Sequence, residues 1–165
     1  MSKFSGIINQ ATPAMDRIIA QHFYQLWLDN NVSPELIDDN WLDITLNFIQ
    51  QARQELKFRA FVAQVETGMD LEIVGSVSCQ LFAGLYPSVL HNRNYGYIWN
   101  VYVERNYRRQ GIATQLTKAA VGYLKSLNCT KALLHASPSG KPVYQGIDFT
   151  SSNEMMLDLT CSNTD

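Results

Sequence analysis

The chain has 165 residues, of which 46% are hydrophobic and 17% charged, and its formal net charge at pH 7 is −2. These values argue against a disordered chain and give no electrostatic reason for binding nucleic acid. They predict a single domain over residues 1–165, with a core at about 7–159 and a loose tail at 161–165. No apolar run is long enough to span a membrane and residues 1–10 lack the pattern of a signal peptide, so we expect a cytoplasmic protein with no membrane partner.

The first third of the chain predicts one short strand and two helices. Residues 6–10 form the strand, and Thr12 and Pro13 provide an N-cap and a first-turn proline for a helix. The apolar residues of this helix are Ile18, Ile19, Phe23, Leu26 and Trp27. Ser33 and Pro34 repeat the start signal for a second helix that runs to about Glu55. Its stripe, at helical spacing, is Ile37, Trp41, Ile44, Phe48 and Ala52.

Three strands and a loop are predicted for the middle of the chain. Arg59–Glu66 and Leu71–Phe82 read as two strands joined by a hairpin turn at residues 67–70. Residues 83–94 contain glycine, proline and polar residues, and therefore predict a loop. Tyr95–Glu104 follows as a third strand, because it is rich in β-branched and aromatic residues.

The last third predicts a further helix and two strands. The helix begins near Ile112, and its core-facing stripe is Ile112, Leu116, Ala119, Tyr123 and Leu127. Residues 130–136 form a short strand after it, and residues 154–160 close the sheet. The closing strand is also placed to pair across a homodimer, an alternative that the sequence leaves open.

Residues 108–113, Arg-Arg-Gln-Gly-Ile-Ala, join the Tyr95–Glu104 strand to the following helix. The first N–H groups of a helix lack internal partners and lie at the positive end of the macrodipole, so an anion is favoured there. Gly111 and Ala113 leave room for a diphosphate, while Arg108 and Arg109 add positive charge. The loop matches neither a nucleoside triphosphate loop nor a dinucleotide loop. An ordinary strand–loop–helix junction is the alternative interpretation.

This loop resembles the R/Q-x-x-G-x-G/A motif of the GNAT superfamily of N-acetyltransferases, with Arg108, Gly111 and Ala113 at the defining positions. The resemblance covers about residues 7–159 and is specific over residues 97–149. It implies an α/β (α+β) fold, with a central mixed, mostly antiparallel sheet flanked by helices in the order β-α-α-β-β-β-α-β-α-β. It also implies acetyl-coenzyme A as co-substrate, with its pyrophosphate on the main-chain amides of the loop, and no metal.

The resemblance further implies most of the candidate site. The strand before the loop is expected to splay and bond the pantetheine arm, and one of its N–H groups is expected to act as oxyanion donor. Residues 137–149 resemble the family's short tyrosine-bearing helix and Gly-Phe pair, with Ser137 in place of an asparagine and Asp148 in place of the glycine. We expect Asp148 to keep the turn, because Asp tolerates positive φ better than most residues. The implied cofactor-binding residues are Val101, Tyr102, Val103, Arg108, Arg109, Gln110, Gly111, Ile112, Ala113, Thr114 and Ser137.

Tyr144 matches the position of the family's general acid. A phenol has an ordinary pKa of about 10, so it is able to donate a proton to a leaving thiolate at neutral pH. Packing as one more aromatic on a short helix is the alternative. By the resemblance, the positions of a strand-borne base fall on Tyr97 and Trp99, and neither is an obvious base. A proton relay from Tyr97 through water and an acceptor amine that arrives already neutral are the open alternatives. Glu104 is interpreted as a solvated charge at the strand end and is not assigned.

Tyr97 and Trp99 are also candidates for the acceptor pocket, although strand aromatics more often belong to a core. Glu35 and Asp39, in an acidic cluster at the predicted start of the second helix, are candidates to attract a cationic amine. The helix dipole alone also favours acidic residues there. The expected reaction is direct transfer of the acetyl group, in a ternary complex, to the primary amine of a small-molecule or amino-acid-like acceptor. A protein or peptide acceptor and a non-catalytic acyl-coenzyme A sensor are the alternatives.

Cysteines and histidines provide no metal or disulfide pattern. The three cysteines are widely separated and have no CxxC spacing, which predicts reduced thiols. A nucleophilic cysteine would need a nearby base that the sequence does not reveal. The residues concerned are Cys79, Cys129 and Cys161, together with His22, His91 and His135, which have no ligand spacing either.

Overall fold

A computed structural model describes residues 4–82, 89 and 93–157. Within these ranges the elements are β1 (Ile7–Gln10), α1 (Asp16–Asp29), α2 (Trp41–Glu55), β2 (Arg59–Thr67), β3 (Asp70–Leu81), β4 (Tyr95–Val103), α3 (Ile112–Ser126), β5 (Lys131–Leu133) and α4 (Lys141–Gln145). Short 3₁₀ turns precede α1, α2 and α3, at Pro13–Met15, Pro34–Leu36 and Arg105–Tyr107. Among the described residues, no helix is long and apolar enough to cross a membrane.

The strands form one sheet in the order β1-β2-β3-β4-β5. Neighbours from β1 to β4 are antiparallel, and β5 joins β4 in parallel. The predicted hairpin turn is present, since Thr67 pairs with Asp70 and Gly68 has a φ of +69°. Glycine reaches this left-handed region without steric cost. The prediction of a mixed, mostly antiparallel sheet is confirmed.

Helices cover both faces of the sheet, as a sheet with two apolar faces requires. One face, here called the α1 face, carries α1 and α2, and its buried cluster is Ala11, Ile19, Ile49, Ala52, Phe58, Ala60 and Val62. The other, the α3 face, buries Phe4, Ala63, Val74, Val77, Cys79, Ile98, Val103, Ile112, Leu116, Ala120 and Leu124. The two clusters hold the sheet between the helices, and so fix the position of β4.

The predicted second helix is wrong in its start, and of its predicted stripe Ala52 is buried whereas Ile44 and Phe48 are not. Ile37 returns to extended backbone after the 3₁₀ turn, and α2 begins only at Trp41. Ile44 and Phe48 are 53% and 44% exposed. The buried residues are Thr45, Ile49 and Ala52. One residue along a helix is a rotation of about 100°, and each predicted position has a neighbour of suitable size, so the periodicity did not fix which face turns inward.

The stripe predicted for α3 has the same error in its second half. Ile112 and Leu116 are buried as predicted. Further along, the helix buries Ala120 and Leu124, and the predicted residues Ala119, Tyr123 and Leu127 are only half-buried. The helix therefore faces the sheet about one residue away from the predicted stripe.

Two predicted strands differ from the structure at the end of the chain. β5 has three residues, and residues 154–157 form no strand. Residues 158–160 of the predicted closing strand, and most of the predicted loop at 83–94, including Tyr86 and His91, lie outside the described residues. Because β5 is so short, it covers only the first part of β4.

Candidate active site

β4 and β5 separate part-way along their length. Tyr95, Gly96 and Tyr97 pair with Lys131, Ala132 and Leu133. Within the described residues, no later residue of β4 pairs with β5, so the main chain from Ile98 to Val103 has a free edge on that side. A free edge offers N–H and C=O groups to an extended ligand. The stretch includes Val101, Tyr102 and Val103, which the family resemblance predicts to bind the pantetheine arm.

A β-bulge at Asn100 bends this free edge. Ser76 of β3 pairs with Tyr102 and Ser78 pairs with Trp99, so β4 has one extra residue between them. Asn100 has a φ of +55°, which asparagine tolerates better than most residues. Its Nδ2 donates to the Ile19 carbonyl of α1 at 3.0 Å, in a buried setting. The bulge is therefore fixed to α1.

The bulge also determines which β4 side chains share a face. The Trp99 ring contacts Phe23 of α1 at 5.3 Å between centroids, and the Tyr102 ring contacts His22 of α1 at 4.8 Å. Val101 and Val103 pack instead into the cluster of the α3 face. The side chains of Trp99 and Tyr102 thus face α1, and the main chain of this part of β4 lies at the free edge.

The loop before α3 presents main-chain N–H groups without helical partners. Arg109 and Gly111 have φ angles of +64° and +83°, and α3 starts at Ile112. Its first internal bond runs from the Gln115 N–H to the Gly111 carbonyl at 3.1 Å. The N–H groups of residues 112–114 therefore lack a carbonyl partner within the helix. A Cβ on Gly111 would meet no atom within 4 Å, so the loop is open where an anion would bind.

The two arginines of the loop have different surroundings. Nε of Arg108 donates to the Val103 carbonyl at 2.8 Å, and Nη2 donates to Asp29 at the end of α1 at 2.5 Å. Burial alone would raise the pKa of Asp29, but the hydrogen bonds and charges of Arg108 and Arg105 outweigh it and lower that pKa. Arg109 is exposed, and no described residue forms a hydrogen bond or ion pair with its guanidinium. Arg108 therefore holds the loop in place, while the Arg109 cation is left without a partner in the part of the chain that the structure describes.

α4 carries Tyr144, whose ring packs against the segment that follows this helix. The Tyr144 ring meets Phe149 edge to face, with centroids 6.0 Å apart. Burial raises the pKa of Tyr144, so its phenol is protonated at neutral pH. Asp148 has a φ of +68°, which confirms the expected left-handed turn. The Ser137 Oγ accepts the Gly140 N–H at 3.2 Å, so this side chain is engaged at the start of α4.

The predicted acceptor residues fall in two places. Trp99 lies half-buried among three phenylalanines, and its Nε1 donates to Gln80 at 3.1 Å. Tyr97 lies on the same face of β4. Glu35 is in the 3₁₀ turn and Asp39 lies just before α2, and neither forms a hydrogen bond or ion pair with any described residue. The structure thus brings Tyr97 and Trp99 onto one face and gives no contact between them and the two acidic residues.

Residues 20–145 match the family model described as acetyltransferase (GNAT) family. The chain belongs to this family. It is therefore an acyltransferase, and the sequence resemblance is confirmed. No curated protein matches the sequence of this GNAT acetyltransferase.

Solved structures show the same fold. A predicted acetyltransferase with acetyl-coenzyme A from Clostridium acetobutylicum is 23% identical, with a TM-score of 0.77 over 93% of this chain and 96% of that one. A GCN5-related N-acetyltransferase from Ralstonia eutropha is 18% identical, with a TM-score of 0.76 over 94% and 99%. Glucosamine-6-phosphate N-acetyltransferase from Arabidopsis thaliana is 16% identical, with a TM-score of 0.65 over 96% and 100%. At these identities the likeness shows the fold alone.

The GNAT chain also contains a buried histidine that the sequence did not single out. His22 is 1% exposed, and its Nδ1 lies 2.9 Å from the Ser76 Oγ. Its Nε2 lies 3.6 Å from a Glu104 oxygen, beyond hydrogen-bond distance but within reach of an ion pair. Burial lowers the pKa of His22 to about 4. Because Ser76 is fully buried, this Ser–His–Glu row cannot present a nucleophile to a substrate, and it ties α1 to the sheet.

His22 and Glu104 also line an open depression of about 700 Å³ on the α1 side, near Glu72 and Tyr107. Glu104 accepts a hydrogen bond from the Tyr102 phenol at 3.3 Å, so it is more engaged than the solvated charge that the sequence predicted. No spacing in the sequence could have revealed this contact, because His22 lies within an apolar helical stripe. The depression lies beside the end of β4 that leads to the loop at residues 108–113.

The described cysteines are unsuited to nucleophilic catalysis. Cys79 is fully buried, and burial raises its pKa to about 12. Burial also raises the pKa of Cys129. A thiolate is the reactive form, so neither side chain is activated. Cys161 lies outside the described residues, and among those described no group of three or more His, Cys, Asp or Glu could hold a metal ion.

Proposed function

We propose that this enzyme transfers the acetyl group of acetyl-coenzyme A to the primary amine of a small-molecule or amino-acid-like acceptor, by direct attack in a ternary complex. One observation carries the proposal. The free edge of β4, with its bulge at Asn100, leads directly into the N-terminus of α3, whose first N–H groups have no partner within the helix. Together they form one continuous surface from Ile98 to Thr114, here called the track. A related solved structure contains acetyl-coenzyme A, which supports the same co-substrate here.

The residues along this track suit the parts of acetyl-coenzyme A. The pyrophosphate would lie on the main-chain amides of residues 110–114, where the helix dipole favours an anion and no side chain fills the space at Gly111. Arg109 would add a cation there, while Arg108 holds the loop in place. The pantetheine amides would pair with the main chain of residues 101–103, and Ser137 would flank the arm from the α4 side.

Acetyl transfer requires a held thioester, a neutral amine and a proton for the leaving thiolate. A main-chain N–H at the bulge, turned out of the β3–β4 ladder, would stabilise negative charge on the carbonyl oxygen. Tyr144 would donate its proton to the thiolate, because burial keeps its phenol protonated. Tyr97 and Trp99 would line the acceptor side, and a small acceptor fits their crowded aromatic surroundings.

The decisive experiment is calorimetric titration with acetyl-coenzyme A, followed by a thiol-release assay with small amines, amino acids and peptides. Binding with thiol release on small amines supports the proposal. Thiol release only with peptides would mean that the acceptor is a peptide or protein amine. Binding of acetyl-coenzyme A without thiol release on any amine would favour the acyl-coenzyme A sensor. Absence of binding would overturn the function.

A further inference from the structure

A hydrogen bond between Tyr97 and His135 lies at the point where β4 and β5 separate. Tyr97 is the last residue of β4 that pairs with β5, opposite Leu133. The phenol oxygen of Tyr97 bonds Nδ1 of His135, two residues beyond Leu133. The pair therefore lies at the start of the free β4 edge, two residues before Trp99 and three before the bulge at Asn100.

The surrounding groups hold this pair and extend it to a carboxylate. The Tyr97 ring stacks on Phe82, with centroids 5.9 Å apart and an angle of 27° between the planes. His135 is exposed, and its Nε2 lies 3.9 Å from an oxygen of Glu154. The phenol, the imidazole and the carboxylate therefore form a row that runs from the half-buried strand to solvent.

The direction in which a proton moves along the row depends on which of its groups donate hydrogen bonds and which accept them. Burial raises the pKa of Tyr97, the Glu154 charge raises it further, and a hydrogen bond from the His135 main chain acts in the opposite direction. The phenol is therefore protonated at neutral pH, so its O–H donates and Nδ1 accepts. This assigns the imidazole proton to Nε2, the nitrogen that faces Glu154. Imidazole is the side chain best suited to accept a proton near neutral pH.

We propose that Tyr97, His135 and Glu154 form a proton relay that deprotonates the acceptor amine, an inference that rests on the proposed acetyl transfer. The Tyr97 oxygen accepts one proton from the protonated acceptor amine, and the neutral amine nitrogen then bonds the acetyl carbon. Tyr97 passes its own proton to Nδ1 of His135, and Glu154 balances the imidazolium charge. The C–S bond of the thioester breaks, and the thiolate takes the Tyr144 proton. The second proton of the nitrogen passes to the Tyr144 phenolate, so Tyr144 is restored, and the one proton left on the relay is released to water.

This assignment supplies the base that the sequence did not reveal. Trp99, the other residue at a base position, has no basic atom and donates its indole N–H to Gln80. His22 and Glu104 lie at the opposite end of β4, beside Tyr102. Tyr97 would contact the amine directly, whereas His135 and Glu154 act through it as positioning residues.

The test is a comparison of pH–rate profiles for thiol release by the wild-type enzyme and His135→Gln, with a simple alkyl amine as acceptor. Glutamine still accepts the Tyr97 hydrogen bond but takes up no proton. We expect kcat/KM at neutral pH to fall by about 10²-fold, the scale of general-base loss, with unchanged affinity for acetyl-coenzyme A. The deficit should shrink as pH approaches the amine's own pKa of about 10, because the amine then arrives neutral. A merely structural role would give a deficit that does not depend on pH.

Further variants sharpen the test. Tyr97→Phe should show the same deficit, and the double variant should be no worse than the poorer single variant, because both changes interrupt one relay. Glu154→Gln should cause a smaller loss, and Glu66→Gln, an exposed carboxylate at the end of β2, should cause none. Wild-type turnover with an unaltered profile in His135→Gln would overturn the relay and leave the transferase standing. Absence of wild-type turnover with every amine would overturn the transferase and the relay together.

Discussion

Arg108 donates a hydrogen bond from Nη2 to the carboxylate of Asp29 at 2.5 Å, and this ion pair connects the end of α1 to the loop before α3. Asp29 also accepts a hydrogen bond from Arg105 at 2.9 Å. The arginine at the family's defining position is thus engaged within the protein, while the next residue, Arg109, has no hydrogen-bond or ion-pair partner among the described residues. An arginine at a defining position of the motif is therefore not necessarily the arginine that contacts the ligand.

The two arginines should respond differently to replacement. Arg109→Ala should weaken acetyl-coenzyme A binding by about 1 kcal/mol at low salt, and the loss should fade at high salt because a screened charge contributes less. Arg108→Ala should lower thermal stability as well as affinity, since Asp29 then keeps only Arg105. Calorimetry at two salt concentrations and thermal unfolding measure both effects. A salt-independent loss in Arg109→Ala would place its role in packing.

Gly111→Val should abolish measurable binding of acetyl-coenzyme A. A β-branched residue is strained at a φ of +83°, by roughly 1–2 kcal/mol, and its side chain would fill the open space in front of the loop amides. Gly122→Ala is the matched control, because Gly122 lies on the exposed side of α3 with no atom near its Cβ position. It should leave binding unchanged and raise stability by about 0.5–1 kcal/mol. Unchanged affinity in Gly111→Val would refute the phosphate loop.

Asn100 should be replaceable by glycine more readily than by valine. Glycine keeps the φ of +55° and loses only the bond to the Ile19 carbonyl, at a cost of about 1–2 kcal/mol. Valine adds backbone strain to the same loss, so Asn100→Val should be destabilised by a further 1–2 kcal/mol or so. Urea unfolding of both variants provides the comparison. Equal stabilities would mean that the left-handed backbone does not hold the bulge.

Much of the fold was accessible from the sequence because local chemistry determines it. The strands β2, β3 and β4 are apolar runs, and the turn at Gly68 and the start of α3 have the expected residues. Asp148 took the predicted positive φ for the same local reason. The facing of α2 and the length of β5 depend on what packs against them, and local patterns carry little information about that.

Part of the candidate site could be predicted from the sequence, and the reason why the rest could not is again physical. The residues of the loop at 108–113 are contiguous, so the sequence alone predicts the loop and the start of the helix that follows it. The Arg108–Asp29 pair joins residues 79 positions apart, and the Tyr97–His135 bond joins residues 38 apart. Such contacts depend on the parallel register of β4 and β5 and on the placement of α1 across the sheet. A single sequence does not contain that register, and it therefore does not identify a base.

Tyr144→Phe should lower turnover while leaving the binding of acetyl-coenzyme A nearly unchanged. The phenol oxygen is the only atom removed, so packing on Phe149 and affinity for acetyl-coenzyme A should stay nearly the same. Turnover should fall by about 10²-fold or more, the usual scale for loss of a general acid. Steady-state thiol release with parallel calorimetry measures both quantities, and Phe149→Leu controls for packing. Undiminished turnover in Tyr144→Phe would assign Tyr144 to packing alone.

His22 should make the stability of the fold depend on pH. Its pKa is about 4 in the folded protein and near 6.5 when unfolded, so only the unfolded chain binds this proton between those values. The contribution is complete above pH 6.5 and is lost as pH falls, by about 2 kcal/mol at pH 5. Urea unfolding from neutral pH to pH 5 measures the slope. His22→Gln should lower stability at neutral pH and flatten the slope. Parallel slopes for the wild type and His22→Gln would mean that another group carries the pH dependence.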